Sequence, residues 1–368
     1  MVNTKEFYDY LVGKNFDFFT GVPDSLLASF CACVKENSAP ANNIIAANEG
    51  NAVAIASGYH IASGKYGVVY MQNSGQGNTI NPLLSLADED VYKIPMLLII
   101  GWRGQPGVKD EPQHVKQGKL TLSLLDCIGV EYQVLGDDYK AQLDTATEYI
   151  KSQGKPYALV VEKGSFTDYK ISKALPIHKI KREDALEQII DSIGDDFIVS
   201  TTGKTSREIF EIRERNGQGH SHDFLTVGSM GHTSSIALGM ALGSDKNVYC
   251  IDGDGSFIMH MGGVAVACQN APLNFNYILI NNGAHESVGG QPTIGFDIDI
   301  EGVLKSVGFD NVYCAYTKED VARGIADMGS SRSAMVVYVN QGSREDLGRP
   351  TVSPEQNKIN MMKEFSCE

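Results

Sequence analysis

The chain has 368 residues, a hydrophobic content of 42% and a formal net charge of -14. This length suits two domains of ordinary size, and a charged content of 21% is typical of a soluble globular protein. The acidic balance argues against nucleic acid or an anionic membrane surface as a partner.

No apolar run approaches the roughly 20 residues that a membrane-spanning helix needs. The N-terminal residues MVNTKEFYDYL lack the pattern of a secretory signal. The seven cysteines are scattered, odd in number and without the paired spacing of a zinc site. These observations favour a cytoplasmic protein with reduced thiols.

The first strand is predicted over residues 17–20 and leads into a GVPDS turn at residues 21–25. The turn places the hydroxyl of Ser25 at a helix N-terminus, a position suited to a carboxylate of a ligand. A simpler interpretation is that Asp24 or Ser25 only caps that helix. Both interpretations stay open.

Glu49 follows a second predicted strand, residues 43–47, and stands at the start of a helix of small residues. An ionised glutamate is rarely buried without a partner. Glu49 is therefore either a charge at a helix start or a carboxyl that is kept protonated for chemistry.

A polar segment at residues 103–114 follows the strand predicted over residues 96–100. It contains the hydrogen-bond donors Arg103, Lys109 and His114. An acidic protein that binds an anion must concentrate such donors locally. The segment is a candidate anion site, with an ordinary surface loop as the alternative.

Hydrophobic periodicity is lost after residue 164, beyond a last strand predicted over residues 158–162. We place a domain boundary there. The prediction is a first domain over residues 1–168, a linker over residues 169–182 and a second domain over residues 183–368.

Two short motifs in the second half are weak signals. The segment GKTS at residues 203–206 suggests a nucleotide-binding P-loop, but position 198 is Ile where that motif needs Gly, so the phosphate cradle is incomplete. His220 and His222 form an HxH pair in a polar loop, which we interpret as solvated side chains rather than metal ligands.

The strongest chemical signal is a pair of strands that each end in polar residues. Asp254 follows the strand predicted over residues 247–251, and Asn282 follows the strand at residues 277–280. The chain between them is long enough for a crossover helix, so the two side chains should emerge side by side from parallel strands. Their oxygens, with a nearby backbone carbonyl, suit Mg²⁺.

Glycines and a helix start extend this pattern. Gly253 and Gly255 let backbone amides approach a phosphate, and Ser256 is predicted to open a helix whose N-terminus favours an anion. The pattern predicts a diphosphate site anchored by a metal. For GDG alone, an ordinary glycine turn in a Rossmann-like unit is the alternative.

GDG followed some two dozen residues later by NN resembles the cofactor-binding motif of thiamine diphosphate-dependent enzymes. The NEG segment around Glu49 and the SGQGN loop at residues 74–78 resemble the same family. The resemblance covers nearly the whole chain. It implies an α/β fold with two related thiamine diphosphate-binding domains, each a mostly parallel sheet flanked by helices.

The resemblance also implies roles for individual residues in binding thiamine diphosphate. Glu49 contacts the aminopyrimidine ring and helps to remove the proton from the reactive carbon of the cofactor. Met230 wedges the cofactor into a bent conformation, and Gly228 offers its carbonyl to the pyrimidine amino group.

A metal site and a shared active site follow from the same resemblance. Asp254, Asn282 and the carbonyl of Ala284 are the expected ligands of Mg²⁺. His285 is a candidate proton donor or charge-balancing group, with a structural role as the alternative. The family implies a homo-oligomer, at least a dimer, in which Glu49 of one chain faces Asp254 of another.

Four segments, GVPDS, DEPQH, HESVGGQPT and GSREDLGRP, resemble the two-domain phosphonopyruvate decarboxylases, whose relatives are the sulfopyruvate decarboxylases. The expected reaction is decarboxylation of 3-phosphonopyruvate, a small anionic 2-keto acid, to phosphonoacetaldehyde. The expected substrate-binding residues are Ser25, Arg103, Lys109 and His114, and the candidate proton-transfer residues are His114 and His285.

Several alternatives remain beside this hypothesis. The substrate could be sulfopyruvate or another 2-keto acid. The chain could be a catalytically silent cofactor-binding subunit that serves a partner protein. A different class altogether is a nucleotide-dependent enzyme that uses the GKTS segment.

Overall fold

The computed structural model describes residues 1–170 and 177–366. The chain divides into two compact units, Met1–Lys173 and Ala174–Glu368. Part of the predicted linker, residues 171–176, lies outside the described residues, and the predicted domain bounds remain a prediction. Within the described part of the chain, no helix is long and apolar enough to cross a membrane.

The first unit is a six-stranded parallel sheet with flanking helices. Its strands are β1 (Phe18–Gly21), β2 (Asn43–Ile45), β3 (Gly67–Gln72), β4 (Met96–Gly101), β5 (Glu131–Val134) and β6 (Tyr157–Val161). Its helices are α1 (Thr4–Gly13), α2 (Ala28–Asn37), α3 (Glu49–Ser63), α4 (Gln76–Pro82), α5 (Pro112–Cys127) and α6 (Tyr139–Gln153). The strand order is β2-β1-β3-β4-β6-β5.

The second unit contains another six-stranded parallel sheet and a small antiparallel hairpin. Its strands are β7 (Phe197–Ser200), β8 (Asp223–Leu225), β9 (Val248–Gly253), β10 (Phe275–Asn281), β11 (Ala284–His285), β12 (Gln291–Pro292), β13 (Asn311–Ala315) and β14 (Ser333–Tyr338). Its helices are α7 (Arg182–Ile193), α8 (Lys204–Arg215), α9 (Thr233–Leu242), α10 (Asp254–Met259), α11 (Met261–Asn270), α12 (Ile300–Val307), α13 (Lys318–Ala326) and α14 (Pro354–Ser366).

The two large sheets have the same topology. The second has the order β13-β14-β10-β9-β7-β8, and without the hairpin strands this is the connectivity of the first sheet. In each sheet the strand order reverses beside the first strand, and open α/β sheets bind ligands at the carboxyl ends of such strands. The predicted fold class, two related and mostly parallel α/β domains, is confirmed.

Burial of both faces of the sheet explains why its strands read as continuous apolar runs. In β4, Leu97 and Ile99 pack into one apolar cluster, while Leu98 and Ile100 pack into another. Successive side chains point to opposite faces of a strand, so both faces of this sheet are covered. The carboxyl ends of the strands are where the chain turns polar.

The crossover between β9 and β10 differs from the single helix that was predicted. It consists of two helices, α10 and α11, separated at His260, whose backbone has φ -138° and ψ 51°. Helix α10 begins at Asp254, so Ser256 lies inside its first turn and does not open the helix.

Candidate active site

Asp254 and Asn282 lie next to each other at the carboxyl ends of adjacent strands. Strands β9 and β10 are parallel, with Gly253 opposite Ile280, so both polar residues follow at the same edge of the sheet. The backbone amide of Asn282 donates a hydrogen bond to the Asp254 carboxylate. Both side chains are buried, with exposed fractions of 5% for Asn282 and 3% for Asp254.

The surroundings of Asp254 suit a cation. Burial raises the pKa of Asp254 to about 6, although hydrogen bonds from Thr293 and from backbone amides oppose this increase. A bound divalent cation would offset the desolvation of this carboxylate. The Asp254 carboxylate, the Asn282 amide oxygen and the Ala284 carbonyl are hard oxygen donors, so the residues present fit Mg²⁺.

His285 and Met230 pack directly over the glycine of the first α10 turn. A Cβ atom on Gly255 would lie 2.9 Å from the His285 atoms Cε1 and Nδ1 and 3.2 Å from Met230 Cε. Any side chain at position 255 would therefore require the His285 ring to move. Burial lowers the pKa of His285 to about 4, so its imidazole is neutral at pH 7 and does not supply balancing charge.

The turn that carries Met230 is strained. Ser229 has φ 54°, in the left-handed region that non-glycine residues seldom adopt, and Gly231 has φ 88°. The backbone amide of Gly231 donates to Ser256 Oγ at 3.1 Å, which ties this turn to α10. Gly228, half-buried, precedes the strained residue.

The loop after the two asparagines folds back onto them. Asn281 Nδ2 donates to the Gly295 carbonyl at 2.7 Å, and Asn282 Nδ2 donates to Glu286 Oε2 at 2.9 Å. The Thr293 hydroxyl donates to Asp254 Oδ2. Sequence reasoning missed Glu286 and Thr293, although both lie within the HESVGGQPT segment that it singled out.

A cluster of charged side chains surrounds Glu286. Arg182 Nη1 lies 2.7 Å from Glu286 Oε2, and Lys204 Nζ lies 2.9 Å from Glu286 Oε1. Arg182 also forms two hydrogen bonds to Glu208, at 2.6 and 2.8 Å. Lys204, the lysine of the GKTS segment, is therefore occupied by a carboxylate of its own chain.

Glu49 occupies a buried position in the first unit. It is the first residue of α3, and only 5% of the residue is exposed. Asn78 Nδ2 donates to Glu49 Oε2 at 2.7 Å, and a Cβ atom on Gly75 would overlap the Glu49 carboxyl. Burial raises the pKa of Glu49, an effect that the Asn78 hydrogen bond opposes. Glu49 is thus a helix-start residue and also a carboxyl with increased proton affinity.

Ser25 and Arg103 are in direct contact. Arg103 Nη1 donates to Ser25 Oγ at 2.8 Å, while Arg103 Nε donates to Asp110 Oδ2 at 2.7 Å. Ser25 does not cap α2, because that helix begins at Ala28 and its N-cap position is Leu27. The interpretation that Asp24 or Ser25 caps α2 is therefore wrong, and so is the prediction that Ser25 stands at the N-terminus of that helix.

Asp24 was considered only as a helix cap, yet this acid of the GVPDS turn is fully buried. Its carboxylate accepts hydrogen bonds from Gln72 Nε2 and from the Leu26 backbone amide at 3.1 Å. Burial raises the pKa of Asp24, against the effect of Gln72 and Arg103. Because Gln72 is the last residue of β3, its hydrogen bond attaches the turn that carries Ser25 to that strand.

The segment 103–114 contains less available positive charge than predicted. Asp110 forms an ion pair with Arg103. His114 lies in the first turn of α5, and burial lowers its pKa, so the ring is neutral at pH 7. Lys109 is exposed and has no ion pair with the described residues. Of the three donors predicted for this segment, only Lys109 therefore remains as an available cation.

The HxH pair is not simply solvated. The His220 ring stacks on Phe210 with centroids 4.0 Å apart, and its Nε2 lies 2.5 Å from Glu214 Oε1. The prediction of a solvated side chain is wrong for His220, while His222 is half-buried. Among the described residues, no group of three or more His, Cys, Asp or Glu side chains could hold a metal ion.

Two protein-family models match the chain. The model of the thiamine pyrophosphate enzyme N-terminal TPP-binding domain matches residues 3–124, and that of the C-terminal TPP-binding domain matches residues 201–339. Thiamine pyrophosphate is another name for thiamine diphosphate. Together the two matches cover more than half of the chain.

Curated relatives are similar along the length of the chain. A phosphonopyruvate decarboxylase of Streptomyces hygroscopicus is 30% identical over 100% of this chain and 95% of its own. One of Streptomyces viridochromogenes is 31% identical over 97% of this chain and 93% of its own. A sulfopyruvate decarboxylase of Methanosarcina acetivorans is 29% identical over 79% of each chain. The chain therefore belongs to the thiamine diphosphate-dependent decarboxylases, carbon–carbon lyases related to the phosphonopyruvate and sulfopyruvate decarboxylases.

Proposed function

We propose that this protein uses thiamine diphosphate and Mg²⁺ to convert 3-phosphonopyruvate to phosphonoacetaldehyde and CO₂. The observation that carries the proposal is the similarity to two phosphonopyruvate decarboxylases across 100% and 97% of the chain. The similarity to a sulfopyruvate decarboxylase covers 79% of the chain. The proposed cellular location is the cytoplasm.

Glu49 is the proposed proton-transfer residue toward the cofactor. When bound, thiamine diphosphate supplies the electron sink that decarboxylation of a 2-keto acid requires. Asn78 holds Glu49 Oε2, which leaves Oε1 for a nitrogen of the aminopyrimidine ring. A carboxyl with a raised pKa can share a proton with a weakly basic ring nitrogen more readily than an ordinary, fully ionised glutamate can.

The second unit supplies the proposed metal and diphosphate site. Asp254, Asn282 and the Ala284 carbonyl would hold Mg²⁺ between the protein and the diphosphate. Gly253 and Gly255 leave the backbone open to phosphate oxygens at the start of α10.

The proposed contacts of the second unit with the organic part of the cofactor involve three residues. The Gly228 carbonyl would accept a hydrogen bond from the pyrimidine amino group. The Met230 side chain would support the bent cofactor, and it directly follows the strained residue Ser229. Such strain is retained where the surrounding structure fixes it, as at ligand-binding sites.

Ser25 and Arg103 are the proposed contacts of the substrate. The guanidinium fixes the Ser25 hydroxyl, and together they present donors suited to a carboxylate. Because Asp110 neutralises Arg103, we assign the phosphonate to Lys109, whose ammonium group is exposed and unpaired among the described residues. His114 and His285, both with lowered pKa values, are proposed as neutral hydrogen-bonding or proton-transfer groups.

We also propose a homo-oligomer, at least a dimer, with Glu49 of one subunit facing Asp254 of another. The chain is 35% identical over 36% of its length to a sulfopyruvate decarboxylase subunit beta, and 37% identical over 32% to a subunit alpha. A chain that resembles both kinds of subunit should be catalytically complete by itself. This argues against a silent subunit that serves a partner.

The test of substrate is a comparison of kcat/KM for 3-phosphonopyruvate, sulfopyruvate and pyruvate. We expect the first to be highest. Lys109→Ala should lower kcat/KM for phosphonopyruvate by about tenfold or more, because a charge-assisted contact contributes about 1.5–3 kcal/mol, and should change pyruvate turnover little. Lys151→Ala, at an exposed lysine of α6, is the control.

Faster turnover of sulfopyruvate would overturn the substrate assignment and leave the cofactor chemistry intact. Sulfopyruvate is the second candidate because the similarity to its decarboxylases is also substantial. A sulfonate has nearly the shape of a phosphonate but carries one negative charge less. An equal effect of Lys109→Ala on all three acids would contradict the role of this lysine.

A further inference from the structure

Two of the three proposed metal ligands, Asn282 and Asp254, are each held by a side chain from the loop that follows the asparagines. Glu286 Oε2 accepts a hydrogen bond from Asn282 Nδ2 at 2.9 Å, and the Thr293 hydroxyl donates to Asp254 Oδ2. We propose that Glu286 and Thr293 are positioning residues that fix the oxygen atoms of Asn282 and Asp254 for a divalent cation. This inference rests on the proposed function, because it presupposes that these two residues bind Mg²⁺.

Glu286 determines which atom of the Asn282 amide remains available to a cation. An asparagine amide has an oxygen that can bind a cation and an NH₂ group that cannot. An ionised carboxylate only accepts hydrogen bonds, so it pairs with the NH₂ group and excludes the flipped amide. Asn282 Oδ1 accordingly lies on the side of the Ala284 backbone amide, which donates to it at 3.1 Å.

Two cations flank the Glu286 carboxylate and favour its ionised form, which only accepts hydrogen bonds. Arg182 and Lys204 lie 2.7 and 2.9 Å from its two oxygens, and the Glu286 side chain is only 11% exposed. Arg182 is anchored in turn by two hydrogen bonds to Glu208. Because Arg182 and Lys204 begin α7 and α8, the loop is attached to two helices of the second unit.

Thr293 acts on the Asp254 carboxylate from the other end of the loop. Its hydroxyl oxygen accepts a hydrogen bond from the Gly295 backbone amide at 3.1 Å, while its hydrogen is directed to Asp254. A Cβ atom on Gly295 would lie 2.8 Å from Asp254 Oδ2, so the loop backbone packs against the carboxylate. One carboxylate oxygen is thereby held in place before a cation arrives.

The experiment is a titration of thiamine diphosphate binding against Mg²⁺ by calorimetry, with the full-length protein. In Glu286→Ala and Thr293→Val, the Mg²⁺ concentration for half-maximal binding should rise by about 10- to 100-fold, the usual effect of losing a partner of a metal ligand. Thr293→Ser keeps the hydroxyl and should stay within about twofold of wild type, since the hydrogen bond is preserved.

Melting temperatures without Mg²⁺ or cofactor distinguish the positioning role from a structural one, because a structural role would lower the melting temperature of the variants under these conditions. Ser287→Ala, at an exposed neighbour in the same loop, is the control and should leave the Mg²⁺ requirement unchanged. If Glu286→Ala does not fold, Glu286→Gln replaces it. Its amide can pair with either orientation of Asn282, so the Mg²⁺ requirement should still rise.

Two outcomes would overturn the inference, and they are distinguishable. If the variants bind the cofactor with the wild-type Mg²⁺ requirement, Glu286 and Thr293 only support the loop. If wild-type protein binds thiamine diphosphate equally well without any divalent cation, the proposed metal site itself fails, and the inference fails with it.

Discussion

The carboxyl of Glu49 is buried, and the hydrogen bonds from Asn78 and from its own backbone amide only partly offset the cost of ionising it. We predict that Glu49→Gln keeps the fold and binds thiamine diphosphate but loses turnover by about 10²- to 10⁴-fold, the usual contribution of a positioned proton-transfer group. Steady-state kinetics and cofactor calorimetry are the measurements. Glu148→Gln, at an exposed position of α6, should behave as wild type. A wild-type rate for Glu49→Gln would show that Glu49 only begins the helix and does not transfer a proton.

The raised pKa of Glu49 also predicts how stability depends on pH. The folded protein holds the proton more tightly than the unfolded chain, whose carboxyl titrates near 4.5. Stability from this group is therefore complete below pH 4.5 and is lost as the pH rises through the folded pKa.

Glu49→Gln removes this pH-dependent loss of folding stability, because an amide does not ionise. Without cofactor, its melting temperature relative to wild type should therefore be higher at pH 8 than at pH 4.5. Thermal denaturation across this pH range tests the prediction. A difference between the two proteins that does not change with pH would contradict the assigned burial effect.

The start of helix α8 distinguishes a nucleotide-dependent enzyme from a thiamine diphosphate-dependent one. The GKTS segment has the composition of a P-loop, but Lys204 is paired with Glu286 and Gly203 has φ 98° without a glycine-rich cradle before it. We predict that thiamine diphosphate with Mg²⁺ raises the melting temperature and that ATP with Mg²⁺ does not, since a ligand stabilises the state to which it binds. A shift with ATP alone would favour the nucleotide alternative.

The carboxyl ends of the strands could be predicted well from the sequence. Continuous apolar runs followed by glycine and a polar residue mark the carboxyl ends of buried parallel strands, so Asp254 and Asn282 were placed correctly at one edge of a sheet. The start of α3 at Glu49 was located for a similar reason. These features depend on short stretches of neighbouring residues.

Side-chain partners were the part that sequence could not locate. The contact between Thr293 and Asp254 joins residues 39 positions apart through a loop without regular periodicity. Arg103 was counted as an available cation because its partner Asp110 depends on how the backbone turns between them. Charge composition therefore overestimated the anion site, and the sequence of loop 283–295 did not reveal the contacts of Glu286 and Thr293 with the proposed metal ligands.

At the scale of the whole molecule, the two units repeat one sheet topology, and each carries one part of the proposed chemistry. If active sites are shared between subunits, a mixture of inactive Glu49→Gln and Asp254→Ala proteins should regain activity after subunit exchange. Random pairing of two-fold dimers restores one site in half of them, about a quarter of wild-type activity. No recovery in an exchanged mixture would place both residues of each site in one chain.

The most direct test of the proposed decarboxylation is to follow 3-phosphonopyruvate by phosphorus NMR with the purified protein, thiamine diphosphate and Mg²⁺. We expect the substrate signal to be replaced by that of phosphonoacetaldehyde, with one CO₂ released per molecule converted, and we expect omission of thiamine diphosphate to abolish the change. Persistence of the substrate signal in the complete mixture, while the same protein decarboxylates another 2-keto acid, would contradict the proposed decarboxylation.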